Sequence, residues 1–501
     1  LVDAVDDKHH PATMTPVMIL GPSRRFIWPC NPIESAMSYT HPSSALMTSS
    51  LFLMVLVALS SCNPSNSINP EPVDKDFQML ATMIDALGQQ GYANLHMPDP
   101  HMLDQIPQDP ANPLTSDKVN LGRMLFHETA LGMDAEDESG IATFSCASCH
   151  HAAAGFQAGV QQGLGDGGVG FGVRGEGRVI SPEYDPATID RQPMRTPTAM
   201  NGAFTPVTLW NGQFGANGPN AGTEAQWTEG TPIAVNYLGY EGLETQAIAG
   251  LTVHRMAPDA EFFDHLPSYV ALFDAAFPDF AEEDRYSVET AGLAIAAYER
   301  TIMASESPFQ KWLRGEHTAM TDQQKDGAMV FFGDANCGTC HNGPGLTDGG
   351  FHALGMPDMP GIEVLDAGDD TYGLSGSDLA LGRGGFTGLE GDKHAFKTPQ
   401  LYNLKDSPFY GHGGTFYNLE DVIRYKLSGE CAKTEAQSFL SNDYQAVELT
   451  EKQERDLYYF LADGLYDASL DRYVPSSTLS GNCFPNNDPQ SSVDLGCNEP
   501  G

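Results

Sequence analysis

The sequence predicts a mainly α-helical protein built as two similar halves with long irregular loops. Three observations carry this. Apolar residues recur at helical spacing in several segments, and no long run alternates apolar and polar as a half-buried strand would. The 501-residue chain contains 52 Gly and 34 Pro, which suits ordered loops better than an unbroken helical bundle. One arrangement also occurs twice: a helix, then Leu125-Phe126-His127 or Val330-Phe331-Phe332, then Cys146-Ala147-Ser148-Cys149-His150 or Cys337-Gly338-Thr339-Cys340-His341. That is an internal repeat.

In chain order, residues 1–46 show neither helical nor strand period between His9 and Ile33. They read as an over-extended start, with Met37 or Met47 as the true one. Leu51 to Leu59 is apolar throughout. It is too short to span a bilayer but fits the core of a secretory signal. Leu59-Ser60-Ser61-Cys62 resembles a bacterial lipobox, which would make Cys62 a lipidated mature N-terminus. No Lys or Arg lies between Met37 and Leu51, and the alternative is a plain signal peptide cleaved near Cys62. Residues 63–75, with Pro, Ser and Asn, read as a tether. Helical spacing then predicts helices over Asp76–Gln90, Ser116–Phe126 capped by Ser116, Thr245–Val253 and Val288–Ile302. It predicts three more over Thr321–Phe332, capped by Thr321, Leu419–Leu427 and Glu451–Leu461. Pro98–Pro113 is a connector. Gly170-x-Gly172-x-x-Gly175 matches the dinucleotide fingerprint by letters, but it follows no strand and opens no helix, so it reads as a loop beside the first Cys motif.

Cys-x-x-Cys-His is the attachment signature of a c-type haem. Two thiols one helical turn apart can both add to the vinyl groups of one porphyrin, and the following His then lies under the iron. A zinc ribbon would want a second Cys or His pair close by, and a redox dithiol would not need the trailing His. Neither explains two copies that both end in His. The sequence therefore predicts two covalently bound haem c groups. Cys146 and Cys149 hold one, with His150 as its iron ligand; Cys337 and Cys340 hold the other, with His341. The fold class becomes mainly α, with two cytochrome-c-like haem domains and long irregular loops.

Asp and Glu number 66 against 26 Lys and Arg, a formal net charge of -40. So acidic a chain disfavours nucleic acid and anionic membrane and favours a basic partner; membrane contact is expected only through the lipid anchor. Of the nine cysteines, four are assigned to haem. Cys431, Cys483 and Cys497 should pair in an oxidising compartment. Three is odd, and Cys483–Cys497 closes the shortest loop.

At this point the chain resembles the bacterial di-haem cytochrome c peroxidase family, including its MauG-type members, over roughly residues 100 to 475. The resemblance rests on Leu121-Gly122-Arg123-Met124-Leu125-Phe126, on Arg195-Thr196-Pro197-Thr198-Ala199-Met200-Asn201, and on Leu209-Trp210-Asn211-Gly212. It continues through Ala297-Tyr298-Glu299-Arg300-Thr301, Ser307-Pro308-Phe309, Phe396-Lys397-Thr398-Pro399 and Ser407-Pro408-Phe409-Tyr410-Gly411-His412-Gly413-Gly414, ending at Leu419-Glu420-Asp421-Val422. It implies peroxide chemistry at the first haem and electron transfer at the second.

Carried over residue by residue, the resemblance sets Trp210 between the haems, although a core Trp beside Leu209 is an equal reading of that residue alone. Gln246 matches a distal-pocket Gln. Where the family usually has a catalytic Glu, this chain has Val253-His254-Arg255-Met256. A distal His254 can take a proton from peroxide and return it to the leaving oxygen, and an adjacent Arg255 can stabilise developing charge. The bland reading of His254 is a core histidine at a helix end. After His151 the next His is His254, so the loop offers no His to block the first iron, which is expected to be open. The second haem is expected to be six-coordinate, with Lys426 in register as the sixth ligand and Tyr425 one place before; His412 or a Met is the alternative. The family's calcium, near Asp406 and Pro408, usually has an Asn side chain where this chain has Arg195, which speaks against the ion.

The expected organisation is an extension (1–46), a lipoprotein-type signal peptide (47–62) and a tether (63–75). A first, peroxidatic haem domain (76–303), a second, electron-transfer haem domain (304–475) and a tail (476–501) follow. The expected function is an exported di-haem peroxidase in the periplasm or at the cell surface, as an outer-membrane lipoprotein through Cys62. It would reduce hydrogen peroxide with electrons from a small cytochrome c or a cupredoxin. The alternatives are MauG-like oxidation of residues on a partner protein, and a di-haem electron carrier without peroxide chemistry.

Overall fold

A computed structural model describes residues 74–361 and 374–497. The expected extension, the signal segment with Cys62, and the tether up to residue 73 lie outside these residues. The helices that place the site are α1 (Lys75–Ala93), α2 (Ser116–His127), α3 (Gly242–Val253), α4 (Val288–Thr301), α5 (Asp322–Phe332), α6 (Leu419–Ser428), α7 (Glu451–Tyr459) and α8 (Pro489–Asp494). Among the described residues, strands are confined to two antiparallel pairs of two residues each: β1 (Gly168–Val169) with β2 (Val179–Ile180), and β3 (Phe351–His352) with β4 (Phe396–Lys397). No helix among the described residues is long and apolar enough to cross a membrane.

The helix starts follow side-chain chemistry. Thr321 and Gln324 cap α5 reciprocally, as do Ser287 and Thr290 for α4 and Thr450 and Gln453 for α7. Asn418 caps α6 by accepting from Asp421 N at 2.8 Å. Helix α2 corrects an expectation: Ser116 is its first helical residue, and the cap is Thr115, whose hydroxyl accepts from Lys118 N at 3.2 Å. Thr115 has the extended backbone that a cap needs.

The internal repeat is visible in the packing. Helix α2 crosses α4 at Gly122, where a Cβ would collide with the Ala294 carbonyl oxygen. Helix α5 crosses α7 at Gly327, where a Cβ would collide with the Asp456 carbonyl oxygen. Four residues on, Phe126 and Phe331 each set a ring 6.4 Å from the ring of the following motif histidine, His150 and His341. Each half thus uses a glycine to let two helices approach and an aromatic ring to seat its histidine. One apolar core runs through both halves, from Leu121, Leu125 and Phe126 to Phe331, Leu457 and Phe460, and the described residues fall within one compact unit.

The stretch after residue 475 folds back on the first half. Asn487 N donates to Thr143 O at 2.9 Å, and Ser145 Oγ donates to Pro485 O at 2.9 Å. Cys483 and Cys497 form the disulfide. Asp488, the N-cap of α8, and Asp494, its last residue, accept from the amides of Gly170, Phe171 and Gly172. The glycine-rich loop therefore binds carboxylates of the chain's own C-terminal helix, and no helix opens behind it. A Cβ at Gly163 would lie 2.9 Å from Cys149 Sγ, so the loop packs on the first Cys motif.

Candidate di-haem site

Each Cys-x-x-Cys-His motif folds into the same turn. His150 N donates to Cys146 O at 3.1 Å and His341 N to Cys337 O at 2.9 Å. Each imidazole then turns Nδ1 to a backbone carbonyl, His150 to Phe156 O at 3.2 Å and His341 to Leu346 O at 2.9 Å. The two carbonyls come from matching places: Phe156 and Leu346 are non-glycine residues in the left-handed region, with φ of 56° and 49°. With Nδ1 so engaged, Nε2 is the nitrogen left for a metal. Burial pulls both imidazoles down to about 4, so they are neutral, as a ligand must be. None of Cys146, Cys149, Cys337 and Cys340 is in a disulfide. A neutral imidazole with Nε2 free, preceded by two unpaired thiols at the fixed spacing, fits a haem of the c type at each motif.

A cavity of about 630 Å³ adjoins both motifs and is lined by His150, His341, Cys337, Cys340 and Trp210. Trp210 Nε1 donates to Arg195 O at 2.7 Å, and its ring meets that of His412 edge-on at 6.3 Å. A small cavity of about 50 Å³ beside it is lined by Cys146, Cys149, Asp190, Gln246, His254 and Glu299, among others.

Helix α3 presents one face here. Gln246, Ala249, Gly250, Val253 and His254 all line the large cavity, the i, i+3, i+4, i+7, i+8 stripe of a helix. His254 is its C-cap, and its Nδ1 lies 2.9 Å and 3.0 Å from the two Asp190 carboxylate oxygens. Its Nε2 is 3.5 Å from Gln192 Nε2, too long to hold it. Burial lowers the pKa of His254, but the charge and hydrogen bond of Asp190 outweigh that and raise it above the ordinary histidine value. Asp190 fits because Gly165 has no side chain: a Cβ there would run into the carboxylate.

Arg255 is placed differently from expectation. It takes a left-handed conformation, φ 57°, that ends the helix and turns its side chain away. Its guanidinium donates to Asp166 at 2.5 Å and to Thr188 O at 2.9 Å, and it lines neither cavity. The cavity instead gains a carboxyl from α4. Glu299 lines both cavities, and its Oε2 finds no hydrogen-bonding partner among the described residues. Burial and the nearby Glu244 push Glu299 up to about 8. Glu244 itself is bound by Arg300 at 2.6 Å and by Asn112 at 3.2 Å.

On the second side, α6 lays Leu419, Val422, Ile423, Lys426 and Leu427 along the cavity. Lys426 Nζ is 3.2 Å from Met356 Sδ, and both residues line the cavity with His341. Burial brings Lys426 down to about 8. Tyr425 is off this face: its hydroxyl donates to Leu354 O at 2.8 Å, and its ring stacks on Tyr444. His412 lines the cavity, but its Nε2 faces Asp358 at 2.9 Å and its ring stacks on Phe396 at 3.6 Å. The stripe at positions 419, 422, 423, 426 and 427 is readable in the sequence as one face of α6, and it sets Lys426 rather than Tyr425 on the cavity.

Two cation questions arise nearby. Cys340, Asp348 and His352 place ligand atoms within 4.8 Å of one another. In a c-type haem the Cys340 thiol becomes a thioether, which leaves an imidazole–carboxylate pair, His352 to Asp348 at 2.9 Å. The buried Arg195 guanidinium donates to Val160 O at 2.6 Å, Gln157 Oε1 at 3.2 Å and Ser407 Oγ at 3.3 Å. Burial lowers its pKa to about 10, which leaves it cationic at neutral pH.

Asp190, Gln192, Glu299 and Met356 were not singled out from the sequence. Only Glu299 stood inside a quoted segment; Asp190 is 64 residues from His254 on an irregular loop.

A family model described as di-haem cytochrome c peroxidase matches residues 116–318. The methylamine utilization protein MauG of Methylorubrum extorquens is 28% identical over 369 residues, covering 72% of this chain and 81% of that protein. The cytochrome c551 peroxidase of Pseudomonas aeruginosa is 25% identical over 378 residues, covering 75% and 90%. A crystal structure of a MauG-like protein associated with microbial copper homeostasis aligns with TM-score 0.50 and 24% identity over 76% of this chain and 96% of that one, a likeness of fold. Over these stretches the chain is similar to the di-haem cytochrome c peroxidases, MauG-type proteins included.

Proposed function

We propose that this protein is an exported di-haem c-type peroxidase that reduces hydrogen peroxide to water, taking electrons from a small cytochrome c or cupredoxin. The supporting observation is one cavity reached by two histidines with free Nε2 atoms, with a carboxylate-oriented third histidine at the first of them. When bound, the haem on His150 supplies an iron for peroxide, and the haem on His341 supplies a second one-electron store. Cys146 and Cys149, and Cys337 and Cys340, would hold the two groups covalently, in domains spanning 76–303 and 304–475.

The chain's own residues handle the protons and the geometry. His254 Nε2 takes a proton from peroxide and gives it to the leaving oxygen, and Asp190 fixes the ring and balances the charge it gains. Gln246, one helical turn from Gly250 on the same face, would offer an amide donor to peroxide in the cavity. Glu299, held protonated near neutral pH, stands as a second proton source. Trp210 fills the path between the histidines. Lys426, on the cavity that His341 lines, would offer its amine to the second haem as a ligand. Export through the Leu51–Leu59 segment and anchoring through Cys62 complete the reading.

The test is stoichiometric. Purified holoprotein should oxidise two equivalents of a reduced one-electron donor for each peroxide consumed. A mere electron carrier would equilibrate with the donor and leave the peroxide intact.

We also infer that Arg195 does the work of a bound calcium. Its charge already occupies the oxygen cluster of Val160, Gln157 and Ser407. Exhaustive chelation should leave both the ferric spectrum and the turnover of the holoprotein unchanged. Loss of activity that calcium restores would refute this.

A further inference from the structure

We propose that the second haem has two exchangeable sixth ligands, the Lys426 amine and the Met356 thioether, and that the oxidation state of the iron selects between them. The proposal rests on the reading above that His341 carries that haem. It goes further by assigning a role to Met356.

The two side chains are held in contact, Nζ to Sδ at 3.2 Å, and both line the cavity that His341 lines. They arrive on separate, anchored supports. Lys426 comes from the third turn of α6, which buries Leu419, Ile423 and Leu427 beside it. Met356 follows β3. The carbonyl before it, Gly355 O, accepts from Ala432 N at 3.1 Å and Lys433 N at 2.9 Å. Two residues after it, Asp358 is held by His412 at 2.9 Å and Lys433 at 2.6 Å. Gly411, at φ 80°, passes so close that a Cβ there would lie 2.9 Å from the Met356 methyl. The thioether is thus fixed beside the amine by its frame, and a short side-chain rotation exchanges which of the two faces the iron.

The ligand chemistry gives the exchange a direction. A thioether is soft and favours the reduced iron, and as an axial ligand it raises the potential. An amine nitrogen is harder and favours the ferric state. One electron from the donor reduces the iron; the Fe–N bond to Lys426 breaks and the Fe–S bond to Met356 forms. The amine leaves with its lone pair, and no other bond changes. Reoxidation reverses both steps. Once loaded, the second haem would hold its electron at a higher potential than the one at which it accepted it.

Voltammetry of the full-chain holoprotein at increasing scan rate tests this, with near-infrared absorption of the ferric state. The wild type should show separated reduction and oxidation waves at fast scans. Met356→Leu should collapse them to one reversible low-potential couple. Lys426→Ala should give one reversible high-potential couple and a ferric methionine charge-transfer band. A single wild-type couple at every scan rate that Met356→Leu leaves in place would overturn the exchange, as would a Lys426→Ala ferric protein without the methionine band. Haem content per chain separates the levels: two haems with either negative result sink only the exchange, whereas fewer than two in the wild type sink the reading beneath it.

Discussion

His254→Ala should react with hydrogen peroxide roughly a hundredfold or more slowly than the wild type, the usual worth of a placed acid–base group. That factor corresponds to about 2.7 kcal/mol of barrier. The expectation follows from the position of the imidazole: Nδ1 is committed to Asp190, and Nε2 is left at the cavity that His150 lines. Removing the ring enlarges the pocket, so peroxide still enters and the loss falls on the proton transfer. Stopped-flow absorbance of the holoprotein reads it. The spectrum of the second haem should not move, because the ligands proposed for it, His341 with Lys426 or Met356, do not include His254. Arg255→Ala should change the rate little, since that guanidinium is bound to Asp166 and Thr188 outside the cavity. A wild-type rate in His254→Ala would make His254 a packing residue and pass the proton role to Glu299. Glu244 is no substitute, because Arg300 and Asn112 already engage it.

Asp190→Asn should slow the same step by about tenfold or more, because it removes the group that orients the histidine and balances its charge. The pH profile should change with it. Asp190 holds the His254 pKa above its ordinary value against the lowering effect of burial. Only neutral His254 can accept the peroxide proton, so in the wild type the rate falls as pH drops through that raised value. Without the carboxylate, burial dominates, the pKa falls, and the acid limb moves to lower pH. Adding Asp190→Asn to His254→Ala should cost little more, since the two act as one unit. An unshifted acid limb in Asp190→Asn would separate the carboxylate from the rate-determining proton.

Legibility in the sequence tracked how local each feature was. The haem motifs are contiguous because two thiols and a ligand must meet one porphyrin edge, so five letters carry the whole requirement. The capping boxes at Thr321 and Thr450 are equally local. Thr115 and Ser116 are both competent to cap α2, so the letters alone do not separate them; the extended backbone of Thr115 decides. Arg255 was paired with His254 by adjacency alone. A single left-handed residue at the helix end sends the two side chains in opposite directions, and nothing in the helical period announces it. Asp190, Gln192 and Met356 lie on irregular segments with no period to read, so only tertiary packing brings them to the cavity.

Two irons with different surroundings are expected, the first open beside His254 and the second closed by a side chain near His341. Electron paramagnetic resonance of the as-isolated ferric holoprotein tests this most directly. The expected spectrum contains one high-spin haem and one low-spin haem per chain. Two low-spin haems with no high-spin signal would contradict it.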